Sequence, residues 1–291
     1  MSVQGLAQSR PSSSRSGNWP DSISAMRADE PRFFGAGVLL VFMLVPITLA
    51  MAIDDRIFNG INVWDKPLKF EIALIVYLFT LAYFARWLPG GMLKSRRYRV
   101  FSWVVVSSVA LEMIWIAGAA ANGTGSHFNV STPFMAAVYP LMGLLAVTLT
   151  SASLVYAIAI HRNRAAGLDP AFRLSLVLGL GMTFVLTVVV AGTMSGMPGH
   201  WVGGVPSDQG GMAGMGWARD GGDLRVAHFF ATHCLHLVPL AGYVASRHLG
   251  SIAAMRSVVA AAIVVGSLVL FTYVQALLGM PFLPVIGGLN G

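Results

Sequence analysis

Seven runs of about twenty apolar residues each, long enough to cross a bilayer core, dominate this chain. They occupy residues 33–53, 68–89, 100–120, 133–160, 174–194, 227–246 and 257–279. Backbone N–H and C=O groups in hydrocarbon must be satisfied within their own segment. Runs of helix length, not strand length, therefore fold as helices. The expected architecture is an all-α, polytopic transmembrane bundle of seven helices over residues 33–291. Composition agrees: only 11% of residues are charged, against about a quarter in a soluble domain. A chain so poor in charge cannot cover a water-facing surface. Its one cysteine, Cys234, excludes a disulfide scaffold. Residues 1–32 are polar, contain Pro11, Pro20 and Pro31, and lack the apolar core and cleavage site of a signal peptide. They read as a disordered cytoplasmic tail.

The 19 positive residues cluster between the apolar runs, a pattern that orients membrane helices and does not point to nucleic acid. Lys94, Arg96, Arg97 and Arg99 follow the second run; Arg162, Arg164 and Arg173 follow the fourth; Arg247 and Arg256 follow the sixth. The opposite side holds five: Arg56, Lys66, Lys69, Arg219 and Arg225. The positive-inside rule then places the N-terminus in the cytoplasm and the C-terminus outside, in a multi-pass protein of the inner membrane. Gly179, Gly181 and Gly192-x-x-x-Gly196 offer close helix contacts. The absence of an internal repeat weighs against a transporter built from two related halves.

Polar chemistry concentrates on the outer side. Residues 54–71 run from Asp54 to Glu71 through Trp64, Lys66 and Lys69, and a second outer segment holds Asn122-Gly123 and His127. A third, about 195–226, contains ten glycines and ends in Asp223 and Arg225. Connections longer than about 15 residues are uncommon and often functional.

The sixth run carries His228, His233 and His236. At about 100° per residue these fall at about 0°, 140° and 80° of the helical wheel, with Tyr243 near 60° and Cys234 near 240° on the far side. At about 1.5 Å per residue, His233 lies about 9 Å and His236 about 13 Å below the outer end, while Glu112 lies about 12 Å, Gln275 about 7 Å and Glu71 about 5 Å deep in their own runs. An ionisable group at such depth costs about 3 kcal/mol or more unless paired. The expectation is an outward-opening pocket between the second, third, sixth and seventh runs. In it His233 and His236 are metal ligands, Glu112 is a ligand or base, and His228, Glu71, Gln275, Tyr243 and His127 are outer groups. Asp223 and Arg225 order the loop above. Lys66, Lys69 and Glu71 also read as a local ion pair that anchors the second run.

Three occupants suit this set. One is a transition metal, zinc, iron or copper; Met194, Met197, His200, Met212 and Met215 add thioether and imidazole donors suited to Cu(I). A second is haem b, whose other axial histidine would be His127 or His200. The third is a small polar or amphipathic solute bound at a proton-linked transporter or receptor site. Polar groups that only hold helices together, as in a scaffold or assembly factor, are a further alternative. Redox or hydrolytic work would follow from the first two.

Trp64-x-Lys66-Pro67-x-Lys69-Phe70 and Gly222-Asp223-Leu224-Arg225-Val226-x-His228-Phe229 resemble stretches of a family of bacterial seven-helix integral membrane proteins of uncharacterised activity. The resemblance implies the membrane fold and transfers no site. Microbial rhodopsins differ in their retinal-bound lysine in the last helix, and the seven-span zinc hydrolases in their His-x3-His there; the seventh run has neither lysine nor histidine.

Overall fold

The computed structural model describes residues 19–283. The long helices are α2 (Pro31–Ile53), α3 (Asp65–Phe84), α5 (Arg96–Ala121), α6 (Pro133–Arg162), α7 (Pro170–Ser195), α8 (Leu224–His248) and α9 (Ser251–Leu277). All seven, α3 with its 3-10 extension to Trp87, are long and apolar enough to cross a membrane. The chain is a multi-pass membrane protein. Each helix buries only 17% to 39% of its most apolar stretch. Side chains such as Phe42, Ile114, Ile263 and Phe271 point outward, as they must where the solvent is lipid.

Two further helices lie at the basic end, α1 (Trp19–Asp29) and the short α4 (Gly90–Lys94). Sequence assigns residues 1–32 to a disordered tail. Residues 1–18 lie outside the described residues, but from Trp19 onward the chain is helical. It is anchored where Glu30, fully buried, pairs with Arg32 (Nε to Oε1, 2.9 Å).

The helices are laid down largely as neighbours in sequence: α2 on α3, α3 on α5, α5 on α6, α6 on α7, with α7, α8 and α9 packed mutually. The main core joins Phe33, Leu78, Leu81, Tyr156, Leu176, Leu180 and Leu235 from five helices, α2, α3, α6, α7 and α8. The tightest approach is α7 against α8. A Cβ added at Gly179 would stand 2.6 Å from Pro239 Cδ and 2.8 Å from the Cys234 carbonyl. One added at Gly242 would overlap the Ser175 side chain. Of the small residues singled out from sequence, Gly179 alone makes such an approach; Gly181 and Gly192 face open space and Gly196 meets only its own Thr193 carbonyl. Pro239 interrupts the α8 ladder, and the Leu235 N–H donates across to Thr183 Oγ1 at 2.8 Å. Cys234 is buried packing beside this joint.

Two small hairpins decorate the opposite, loop-rich end. Strands β1 (Ile57–Phe58) and β2 (Ile61–Asn62) pair antiparallel. Asn59 (φ 50°) and Gly60 (φ 86°) turn between them, the two left-handed residues a tight hairpin needs. Strands β3 (Trp201–Val202) and β4 (Gly222–Asp223) close the long connection onto the start of α8.

Replacing Gly179 by Ala forces α7 from α8, and overpacking of this kind costs about 1–3 kcal/mol. The melting temperature of the detergent-solubilised protein falls with Gly179→Ala and stays unchanged with Gly181→Ala.

Candidate functional site

The loop-rich end is a cross-linked cap. Asp54 accepts from Arg56 (2.9 and 2.7 Å) and from Trp64 Nε1 (2.8 Å). Those hydrogen bonds, Arg56 first, hold its carboxyl well below the usual range. Arg56 also donates to the Ala121 carbonyl at the end of α5 (3.0 Å), a favourable place for a cation. The hairpin turn carries the long connection: Asp208 N–H and Ser207 Oγ both donate to the Asn59 carbonyl (2.8 and 3.2 Å). Lys69 ties the same connection to α3 by donating to the Met215 carbonyl (3.2 Å) while pairing with Asp65 (2.6 Å).

Arg225 is the central fastener. Its guanidinium donates to Asp223 (Nε to Oδ1, 3.0 Å; NH2 to Oδ2, 2.7 Å), to Asp208 Oδ1 (2.6 Å) and to the Gly216 carbonyl (2.7 Å). Asp223, 1% exposed, also caps α8 through the Arg225 N–H and accepts from Ala218 N–H. His200 joins through Asp208 Oδ1 (3.3 Å) and lies against Trp201, ring centres 3.8 Å apart. Burial lowers the His200 pKa and outweighs the opposing bond from Asp208. Burial alone would raise Asp208, but the His200 bond and the Arg225 charge hold it below its ordinary value.

Beneath the cap lies a layer of polar groups. Lys66 Nζ donates to His127 Nδ1 (3.1 Å), which Ser126 Oγ also approaches (3.0 Å). An ammonium has no acceptor, so His127 Nδ1 is the acceptor and its proton sits on Nε2. Burial, then Lys66 and His228, pushes the His127 pKa well below its ordinary value. Lys66 also senses Glu112, Arg225 and Asp208. Glu112 is 2% exposed and Glu71 1%, and among the described residues no oxygen of either carboxylate has a hydrogen-bond partner. His228 Nδ1 and Gln275 Oε1 are likewise buried and unpartnered, although Gln275 Nε2 donates to the Pro281 carbonyl (2.9 Å).

Deeper in α8, His233 and His236 stand with ring centres 5.4 Å apart. His233 Nδ1 donates to the Phe229 carbonyl one turn back (2.8 Å), which leaves Nε2 with a bare lone pair. Thr80 Oγ1 donates its only proton to the Val76 carbonyl (2.7 Å). It therefore accepts from His236 Nε2 (3.0 Å), and His236 Nδ1, unpartnered, carries the second bare lone pair. Phe229 stacks on His233 at 4.1 Å and Trp217 closes over Phe229 at 5.5 Å.

The structure thus gathers His228, His233 and His236 on one face of α8, with Asp223 and Arg225 fastening the loop above. The charged neighbour of Glu112 is Lys66, and no hydrogen bond joins Glu112 to either deep histidine. Among the described residues there is no group of three or more His, Cys, Asp or Glu able to hold a metal. Tyr243 lies elsewhere: it is 42% exposed, its ring against Phe172 and the Arg247 guanidinium. Lys69 pairs with Asp65, not with Glu71. His200 turns to Asp208 instead of joining the half-buried methionines of its loop. Sequence reasoning placed Lys66 in an ion pair with Lys69 and Glu71 and not beside His127, and it missed Thr80 and Asp208. Lys66 beside Pro67 at a run boundary was a readable signal; nothing in the sequence marks the other two. Comparison with protein-family models, curated proteins and solved structures finds no match to this chain.

Arg225→Ala leaves Asp223 and Asp208 buried without their cation, a loss of about 3 kcal/mol, and limited proteolysis will cut within residues 203–216 several times faster than in wild type. Acidification acts in the same direction. Because His127 and His200 titrate below the ordinary 6.5 in the folded protein, the unfolded chain takes up protons first as pH drops. The contribution of their neutral forms is complete above that value and declines below it. Melting temperature therefore falls from neutral to mildly acidic pH, and His127→Gln with His200→Gln flattens that dependence.

Proposed function

We propose that this chain is an inner-membrane protein that binds a small polar solute beneath outward-facing loops, at a proton-linked site. The N-terminus is cytoplasmic in this reading, which the basic residues support: Lys94, Arg96, Arg97, Arg99, Arg162 and Arg164 all lie at one end of the bundle. One observation carries the rest. Glu71 and Glu112, both buried under the cap, have no partner among the described residues for any of their four oxygens. An ionised carboxylate left so in hydrocarbon costs about 3 kcal/mol or more. A proton, or a donor group of a guest, balances it. Exchange of one for the other links solute binding to proton release. Lys66, His127, His228, Arg225 and Asp208 are the charged and titratable groups around this layer, so Lys66 suits an anionic or acceptor part of the guest while Glu112 takes a donor.

A metal is the second reading, favoured by the bare lone pairs of His233 Nε2 and His236 Nδ1. These two donors fit a metal but leave a four-coordinate site incomplete. Two neighbouring histidines of one helix cannot ligate opposite faces of a haem, and His127 and His200 are engaged with Lys66 and Asp208. The solute reading therefore stands first.

Thermal stabilisation of the purified protein by a panel of small carboxylates, amines, amino acids and sugars tests it. A binder at a hundredfold excess over its Kd stabilises by about 2.7 kcal/mol. The expected outcome is stabilisation that differs between mildly acidic and neutral pH and disappears in Glu112→Gln. Stabilisation that survives in Glu112→Gln, or that none of the panel gives, sinks this reading. Stoichiometric metal lost in His233→Ala/His236→Ala would establish the second.

A further inference from the structure

The polar layer does not end in the middle of the bundle. His228, His233 and His236 form a descending file on one face of α8, with the rings of His233 and His236 5.4 Å apart. His236 is hydrogen-bonded to Thr80 of α3 (3.0 Å). Tyr77 lies one turn from Thr80 on the same face of α3, and its hydroxyl donates to the Leu149 carbonyl of α6 (2.9 Å). Two turns beyond Leu149 on α6 is Tyr156, fully buried. Its hydroxyl meets that of Tyr98 from α5 at 2.8 Å. Beside Tyr98 stands the one fully buried carboxylate of the basic end, Glu30, held by Arg32 (2.9 and 3.3 Å). The Arg32 guanidinium lies 5.7 Å from the Tyr98 ring centre and its side chain is 12% exposed.

Two phenols and an acid in an apolar core need a reason, since phenylalanine would fill the same space without a hydroxyl to satisfy. We propose that these groups form a proton path across the membrane, from the histidines of α8 through Thr80 and Tyr77 to the Tyr156–Tyr98 pair and Glu30. The path deepens the proton-linked site proposed above and rests on that reading for its loop-side mouth. Each imidazole accepts a proton on its bare nitrogen; His236 releases its Nε2 proton to Thr80, while His233, whose Nδ1 proton stays on the Phe229 carbonyl, gives the proton up again from Nε2. Each hydroxyl accepts a proton and passes its own, Thr80 and Tyr77 on turning from their backbone carbonyls. Among the described residues no direct hydrogen bond joins Thr80 to Tyr77 or Tyr77 to Tyr156, so the path calls for a bridging water at each of these two steps. Every transfer makes one N–H or O–H bond as it breaks another, and no electron changes hands. The net result is one proton moved from water at the loop end to water beside Arg32, with Glu30 the last acceptor.

The full chain, reconstituted in phosphatidylcholine–phosphatidylglycerol vesicles with a trapped pH dye and a valinomycin–potassium clamp, tests this directly. After an imposed pH step, wild type is expected to dissipate the gradient faster than protein-free vesicles. Tyr98→Phe and Tyr156→Phe, which keep the core volume, are expected to fall to the protein-free rate, as is Glu30→Gln. Tyr243→Phe, at a position exposed toward the basic end of α8 and outside the path, is expected to keep the wild-type rate. Wild type no faster than empty vesicles overturns the path, as does a folded Tyr98→Phe or Tyr156→Phe protein at the wild-type rate; if one phenylalanine variant fails to fold, the other decides. The solute site is judged separately. Stabilisation by solute without conduction leaves that site standing and removes the path, while conduction without any stabilising solute does the reverse.

Discussion

A hydrocarbon solvent offers no hydrogen bonds, and this one constraint orders the molecule. Every polar atom below the cap must find a partner in the protein, carry a proton, or accept a guest. Most find partners: Ser102, Ser108, Thr150, Ser153 and Thr272 return their hydroxyls to their own helix carbonyls. Thr183 instead receives the Leu235 N–H where Pro239 disturbs α8. Against this background the lone oxygens of Glu71 and Glu112 and the bare nitrogens of His228 and His236 stand apart. They are concentrated toward one end and one side of the bundle, and the lipid-facing helix surfaces carry none of them.

The cap follows from the same constraint. Loops above a polar layer have to be held against water that would otherwise flood it. The holding is done by charge pairs where water is scarce, as at Asp223–Arg225–Asp208, and by backbone bonds where it is plentiful, as between Asn59 and residues 207–208. Ten glycines in the long connection read as slack in a string of letters. Several of them are close-packed: a Cβ at Gly221 or Gly211 would collide with the backbone of Gly203 or Gly216. The glycines permit compactness.

What sequence revealed and what it hid divide along a physical line. Spans were legible because hydrophobic length is a local property; each of the seven helices lies within a few residues of its apolar run. The histidine face of α8 was legible because helical periodicity is local too. Partnership across helices was not. Depth alone put Glu112 level with His233 and His236, but depth fixes only one coordinate, and among the described residues no hydrogen bond joins Glu112 to either histidine. Tyr243 shares the wheel angle of His236 yet sits two turns farther along, at the basic end, where α8 meets Phe172. The helix from Trp19 was hidden because its stability comes from docking on α2 and α3, not from its own composition.

Asp223 belongs at once to strand β4, to the cap of α8 and to the grip on Arg225. Loop and helix consequently share a hinge-free joint. A pull on the glycine-rich connection is delivered to the first turn of α8 and so to the imidazole of His228, five residues on. Whatever docks against the outer loops has a mechanical handle on the buried histidine file.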